Sequence, residues 1–305
     1  MKHMGDVLQG IHATWEFEGD SVLIRFERGI RTPKLFQALG ERRIPHEALS
    51  SVTLTPGRRG TVVLHAVPRA GADPLTEAAA GQLRASGDPY RLVLPAERET
   101  LAEYYADELR AALARVRGTG AGGIRDEQEP AERYLVTAPE PPLQFKAYDA
   151  KASFDGDRVS FRWFWTGASS AKWKAGDQSL PVGELQGVEW RSPELFNGYL
   201  RLLRREGPGP AREQPAPADH DPAAVVFGLG YGPVHESLPF AAAVLEAVQG
   251  AATGRAAVPV HAVVPAHRDP AEVAERIRHL GELHSAGLVT DDEFSAKKAE
   301  LLAEL

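Results

Sequence analysis

The chain contains no cysteine, which excludes disulfides, thiolate metal sites and a cysteine nucleophile. It is equally short of other chemical signatures. Neither HExxH nor GxSxG occurs, the spacings that would set two imidazoles on a metal or a serine on a strained strand-to-helix turn. No run approaches the ~20 apolar residues that span a bilayer as a helix. The opening MKHMGDVLQGIHATWEF lacks the long apolar stretch of a signal peptide, so a cytoplasmic protein is expected. Cations are in the minority, 35 Lys and Arg against 42 Asp and Glu, for a net charge of −7. Phosphate backbones require the opposite balance, so nucleic acid is not an expected partner.

What is present is a repeat. FEGDSV at 17–22 returns as FDGDRV at 154–159, and a longer register follows. Ala13, Phe17, Gly19, Asp20, Val22 and Arg25 fall on Ala150, Phe154, Gly156, Asp157, Val159 and Arg162. RIPHEALSSV (43–52) then meets SLPVGELQGV (179–188), with Pro45 over Pro181 and Leu49 over Leu185, and DPYRLVL (88–94) meets DPAAVVF (221–227). Three blocks in one order imply a duplicated domain. A chain of 305 residues, 43% hydrophobic and 25% charged, accommodates two domains and a small appendage.

Each copy reads mostly as strand. Val22, Ile24 and Phe26 alternate with their neighbours, as do Val159, Phe161, Trp163 and Trp165, and a period of two places each set on one face. EGD and DGD supply hairpin turns before them. TVVLHAV (61–67), YRLVL (90–94), GYLRLL (198–203) and AVVF (224–227) predict later strands. Helices close both copies. Over 97–116 the predicted stripe is Leu101, Tyr105, Leu109, Ala112 and Val116. In the second copy Ser237 is the predicted N-cap before LPFAAAVLEAV, with Gly250 as the stop. The expected fold class is α+β: two tandem small β-barrels, each closed by its C-terminal helix, which is the layout of pleckstrin-homology-like domains. Polar insertions at 68–88 and 206–221 precede the last strand of each copy. The expected divisions are a first barrel at 6–117, a linker at 118–142, a second barrel at 143–250, a linker at 251–268 and a hairpin at 269–305.

The tail predicts two short helices. Asp269 caps the first, Pro270 begins it and Gly287 ends it, while Thr290 and Glu293 form a capping box for the second. Fewer than ~40 residues do not bury enough surface to stand alone. Ile277, Leu280, Leu283, Leu288, Phe294, Leu301 and Leu302 are therefore the candidate contacts for self-association or a protein partner.

AGLVTDDEFSAKKAELL (286–302) resembles the bacterial SHOCT (short C-terminal domain) motif. The resemblance implies oligomerisation or partner contact. FEGDSVLIRF, GERRIP, DPYRLVLPAERETLAEYY and their second-copy counterparts resemble an actinobacterial family of unknown function whose domain occurs in tandem ahead of such a tail. GLGYGPVHESLPF in the second copy departs from LPAERETLAEYY in the first. The family implies no catalytic residue.

Site candidates are few. GTGAGG (118–123) lacks the Lys-Ser/Thr of a phosphate loop and reads as a linker, and GLGYG (228–232) is not GxGxxG. His220 sits between Asp219 and Asp221 in a polar loop, and His279 and His284 are not spaced for one helix face. No catalytic residue, metal site or cofactor is expected. Arg31, Lys34, Arg42 and Arg43 flank RTPKLFQALGERR and are the candidate phosphate or lipid contacts, with Lys172 and Lys174 in the corresponding stretch of the second copy. Trp163 aligns with Phe26 as core, whereas Trp173, in a predicted loop, is the candidate contact surface. The expected function is a non-enzymatic scaffold or adaptor assembled through the tail; the alternative is a peripheral lipid-binding protein using the basic loop of the first copy.

Overall fold

Phe17 pairs with Val22 and Phe154 with Val159, so both copies of the repeated hexapeptide close an antiparallel hairpin. The carbonyl of Asp20 accepts from the backbone N–H of His46 at 2.8 Å, and that of Asp157 from Val182 at 2.8 Å. The duplicated residues hold the same topological place. This is a computed structural model, and it describes residues 6–118, 129–205, 216–228 and 233–254. The predicted hairpin at 269–305, with all seven of its candidate contacts, lies outside the described residues, as do most of the 251–268 segment, GTGAGG beyond Gly118, and residues 229–232 of GLGYG.

The first repeat runs β1 (Asp6–Gln9), β2 (Ala13–Phe17), β3 (Ser21–Phe26), α1 (Lys34–Leu39), β4 (Glu41–Pro45), β5 (Leu49–Pro56), β6 (Thr61–Pro68), α2 (Pro74–Ala79), β7 (Arg91–Pro95) and α3 (Glu99–Gly118). The second runs β8 (Leu143–Lys146), β9 (Ala150–Phe154), β10 (Arg158–Trp163), α4 (Ser170–Ala175), β11 (Gln178–Pro181), β12 (Leu185–Arg191), β13 (Tyr199–Arg204), β14 (Ala224–Val226) and α5 (Val234–Ala252). In each repeat four antiparallel strands make one sheet and three make another. The detail is shared too: both fifth strands carry a register shift after their first residue, at Leu49/Ser51 and Leu185/Gly187.

The protein is therefore α+β in two repeated units, but the expected barrels do not close into continuous ladders. After Pro45 and Pro181 the chain passes through a single 3-10 turn and takes new neighbours. Each pair of sheets is stitched at the far side by a backbone bond, Ile11 N–H to Val93 O at 2.7 Å and Tyr148 N–H to Val226 O at 3.0 Å.

The predicted inward residues Val22, Ile24 and Phe26 and Val159, Phe161 and Trp163 are all buried, but Leu23 on the opposite face of β3 is buried as well. The pattern fails at Trp165, which lies beyond the end of β10 and is 80% exposed. The stripe of α3 is also rotated from the predicted one. Ala102, Tyr105, Ala106, Leu109, Ala112 and Leu113 are buried, while Leu101 and Val116 face outward. Small alanines bring the helix close, and Phe17 then stacks on Tyr105 with centroids 4.3 Å apart. Helix α5 starts earlier and ends later than predicted. Pro233 is its N-cap, Ser237 lies inside it with Oγ donating to Pro233 O at 3.0 Å, and the helix continues through Gly250 to Ala252.

The larger departure concerns the 68–88 insertion. Asp73 caps α2, accepting from the N–H of Leu75 and of Thr76, and Pro74 begins the helix. Its apolar face meets α5: Leu75, Ala78 and Ala79, with Leu35 of α1, belong to the second repeat's core. Gln82 adds two bonds across the junction, donating to Trp190 O at 2.9 Å and accepting from Ser192 N–H at 2.9 Å. The chain between the repeats is also packed, with Val136 and Ala138 buried. The segment read from the sequence as a polar insertion is thus the wedge that joins the repeats. Alternation within six-residue helices is too brief to reveal such a face.

Candidate functional site

Most interior charge is committed to structure. In the first repeat Arg42 points inward from β4 and donates to Asp73 Oδ1 at 2.6 Å. Tyr90 Oη accepts from Arg42 Nε at 3.1 Å and donates to Asp73 Oδ2 at 2.7 Å. Burial pushes the Tyr90 phenol well above its ordinary value, so it remains a donor. Asp73 also takes the hydroxyl of Thr76 at 2.6 Å. The guanidinium is 3% exposed and the carboxylate 0%. This network supports the cap of α2 and through it the junction.

The second repeat has a different interior pair. Lys172 Nζ lies 2.5 Å from Asp149 Oδ2, with both side chains sealed from water. Asp149 Oδ1 accepts from Val226 N–H at 3.0 Å, and the ammonium stands 5.1 Å from the Trp163 ring centroid. Burial raises the Asp149 carboxyl and lowers the Lys172 ammonium, each shift opposed by the other's charge. Aligning Gly40 with Gly176, both at positive φ after their helices, puts Lys172 over Phe36. There the first repeat stacks Phe36 on Phe26 with centroids 4.7 Å apart. One place in the fold holds an aromatic pair in one repeat and an ion pair over an aromatic in the other.

A cleft of about 450 Å³ opens at the junction. Pro33 and Lys34 border it from the first repeat, Pro193 and Glu194 from the β12–β13 loop, and Pro233 and His235 from the start of α5. Glu194 is bound to Arg84 at 3.0 Å. Burial, with the nearby Lys34 charge adding to it and Glu236 opposing, lowers the His235 imidazole. His220 is exposed beside Asp219. Among the described residues no cluster of His, Asp and Glu is arranged to hold a metal ion.

The unusual feature is apolar surface on loops. Ile30 is 106% exposed, Phe196 84% and Trp165 80%. Trp165 meets Trp173 edge-on at 5.4 Å, and Trp173 is itself 46% exposed. In an up-and-down arrangement the connections after the first, third and fifth strands lie at one end, and so does the chain after the seventh. Ile30 and Trp165 are on the third-strand connections, Phe196 on a fifth-strand connection. Contacts bear this out in the second repeat: Phe227 N–H donates to Gly198 O at 2.8 Å, and Phe164 N–H to Asp149 O at 2.8 Å.

The four cations of the predicted basic loop separate. Arg31 and Lys34 are exposed at the loop end. Arg42 is interior and is removed from any surface role. Arg43 pairs with Glu18 and donates to Ser21 Oγ at 3.1 Å, at the opposite, hairpin end of its sheet. Alternation along β4 separates Arg42 from Arg43, and the loop itself folds as α1. Lys172 is likewise interior, while Lys174 is exposed. Trp173 is exposed as expected, although on α4 instead of a loop. Trp165 and Phe196 were missed: the first was assigned to a strand face, and nothing local marks the second.

Two family models match the sequence. One, described as Domain of unknown function (DUF4429), matches residues 15–110 and again 152–245, more than half of the chain. The other, described as Short C-terminal domain (SHOCT), matches residues 275–302. No curated protein matches. Neither description names an activity.

Proposed function

The chain belongs to the family of the Domain of unknown function (DUF4429), and from that premise we propose that it is a non-enzymatic, cytoplasmic scaffold. In this reading two fused pleckstrin-homology-like repeats form a docking platform, and the C-terminal short domain joins copies of the chain or recruits a protein partner. The observation that carries it is where polarity and apolarity have gone. The strongly interacting charges, Arg42 with Asp73 and Lys172 with Asp149, are spent inside on structure. Large apolar side chains instead stand in solvent on loops, Phe196 at 84% and Trp165 at 80%. Trp165 lies edge-on to the half-exposed Trp173 at 5.4 Å, and contiguous apolar surface of this kind favours contact with another surface. The tail's sequence supports assembly because a segment of fewer than ~40 residues with this many leucines needs an external face to cover them.

Light scattering on the full chain and on the Leu280→Glu/Leu301→Glu variant tests the assembly. The full chain is expected at a multiple of its 33.0 kDa mass and the variant at a single one. A full chain of monomeric mass would overturn self-assembly.

A further inference from the structure

We propose that the β12–β13 loop and the junction cleft beside it form one self-complementary surface, on which Phe196 of one copy of the chain enters the cleft of a second copy and the exchange is mutual. This rests on reading the tail as what brings copies together, and it names the contact that the repeats then make.

The loop holds its tip still. Ser192 O accepts from Leu195 N–H at 3.0 Å, and Ser192 Oγ accepts from Glu194 N–H at 3.2 Å. Gly198 O accepts from Phe227 N–H at 2.8 Å, and Asn197 takes a left-handed φ of 57° where the chain turns back. Gln82 secures the first end through Trp190 and Ser192, while Arg84 holds Glu194 at 3.0 Å. On this frame stand Leu195, 47% exposed, and Phe196, 84% exposed. Two adjacent apolar side chains on an ordered loop lose little freedom when they are covered.

The cleft lies against the same loop, which supplies Pro193 and Glu194 to its wall. Pro33, Leu35, Leu83, Pro233 and Val234 give it an apolar lining, and its volume of about 450 Å³ admits a phenyl ring. A projection and a recess on one loop suit a two-fold contact, because rotation sets each copy's projection against the other's recess. A foreign partner would have to supply both shapes, whereas a second copy carries both. A small molecule in the cleft would leave Phe196 in water. Charge selects the same occupant. Lys34, Arg84 and His235 border the cleft against Glu194, with Glu236 3.6 Å from the His235 ring. Among the described residues Lys34 has no ion pair of its own. Across the two-fold axis Glu194 of each copy reaches Lys34 of the other, so one patch provides both signs. The contact is small, and it forms at the roughly millimolar effective concentration that joined copies experience.

The absence of native cysteine makes the contact trappable. Two full-length chains are mixed under mild oxidation, one carrying Leu195→Cys with Phe196 kept, the other Ser86→Cys on the cleft wall. The mixed disulfide reports contact between copies only, since neither chain holds both cysteines. Its yield is expected to exceed that of a control pair, Leu195→Cys with the exposed Gln186→Cys on β12. Phe196→Asp in both chains should cut the yield by roughly tenfold or more, because the ring no longer leaves water. Lys34→Glu should lower it as well, and so should added salt. Phe196 and Lys34 are exposed, so unchanged thermal melts confirm that these variants are folded. A yield no greater than the control pair's, or one that Phe196→Asp leaves unchanged, overturns the proposal. The tail is separated by light scattering on the same chains. If the chain assembles without the mixed disulfide, assembly through the tail stands and this contact falls. If the chain is monomeric yet forms the Phe196-dependent disulfide at raised concentration, tail assembly falls and this contact stands.

Discussion

Lys172 and Asp149 form a 2.5 Å ion pair inside the second repeat, at the place where the first repeat stacks Phe36 on Phe26. The fold therefore accepts either solution, and the ion pair is not required by the architecture. Taking one charge away leaves the other buried and unpaired, which costs about 3–5 kcal/mol. Replacing both by apolar groups of similar volume removes that penalty and leaves only the Val226 N–H without its Asp149 acceptor.

Lys172→Met and Asp149→Leu are accordingly each expected to destabilise by about 3–5 kcal/mol. The double variant should recover most of the loss. Urea unfolding of the four proteins measures the coupling, and additive losses would contradict it.

The Arg42–Asp73–Tyr90 network predicts an effect away from the substitution. Tyr90→Phe removes one donor from a buried carboxylate and one acceptor from a buried guanidinium, for about 1–3 kcal/mol. Asp73 caps α2, and α2 meets α5, so faster hydrogen exchange is expected in α2 and along the facing side of α5. Acceleration confined to β7 would sever the link.

The repeats should unfold as one body. Leu75 is fully buried and belongs to the core of the other repeat. Leu75→Ala should cost about 2–5 kcal/mol while calorimetry still shows a single transition, shifted down. Two separated transitions in the wild type would mean that the junction is weaker than its packing indicates.

His46 predicts an acid-side loss of stability. Burial lowers its folded pKa below the ordinary 6.5, with the Asp20 charge opposing and the Arg115 charge adding to the shift. As pH falls through about 6.5 the unfolded chain takes up the proton first, so stability is full above that value and declines below it, down to the folded pKa. The equivalent residue in the second repeat is Val182, also buried. His46→Val should flatten part of the decline below about pH 6.5. His235, lowered chiefly by burial, keeps a contribution of the same sign. An unchanged slope in urea midpoints would exonerate His46.

Legibility followed the range of the interactions. The hairpins at 17–22 and 154–159 were readable because turn residues and period-two alternation act within a few positions. Trp173 is exposed as expected, but one of the two lysines that suggested it, Lys172, is interior. Trp165 was misassigned because alternation alone does not report where β10 stops. The buried face of α3 was misjudged because Leu101 and Val116 outrank alanine in hydrophobicity, although Ala102 and Ala106 are what let the helix approach.

The amino-acid order alone determined the duplication, the sheet-forming segments, their terminal helices and the short C-terminal domain, since each is written in local patterns of turn, period and cap. Tertiary structure alone decided which charges are interior and which apolar groups are not. Arg42 finds its carboxylate 31 positions away on an insertion, and Lys172 finds its own 23 positions away, beyond two strands. Desolvation depends on all that surrounds a group in space, and neighbours along the chain are only a small part of that surrounding.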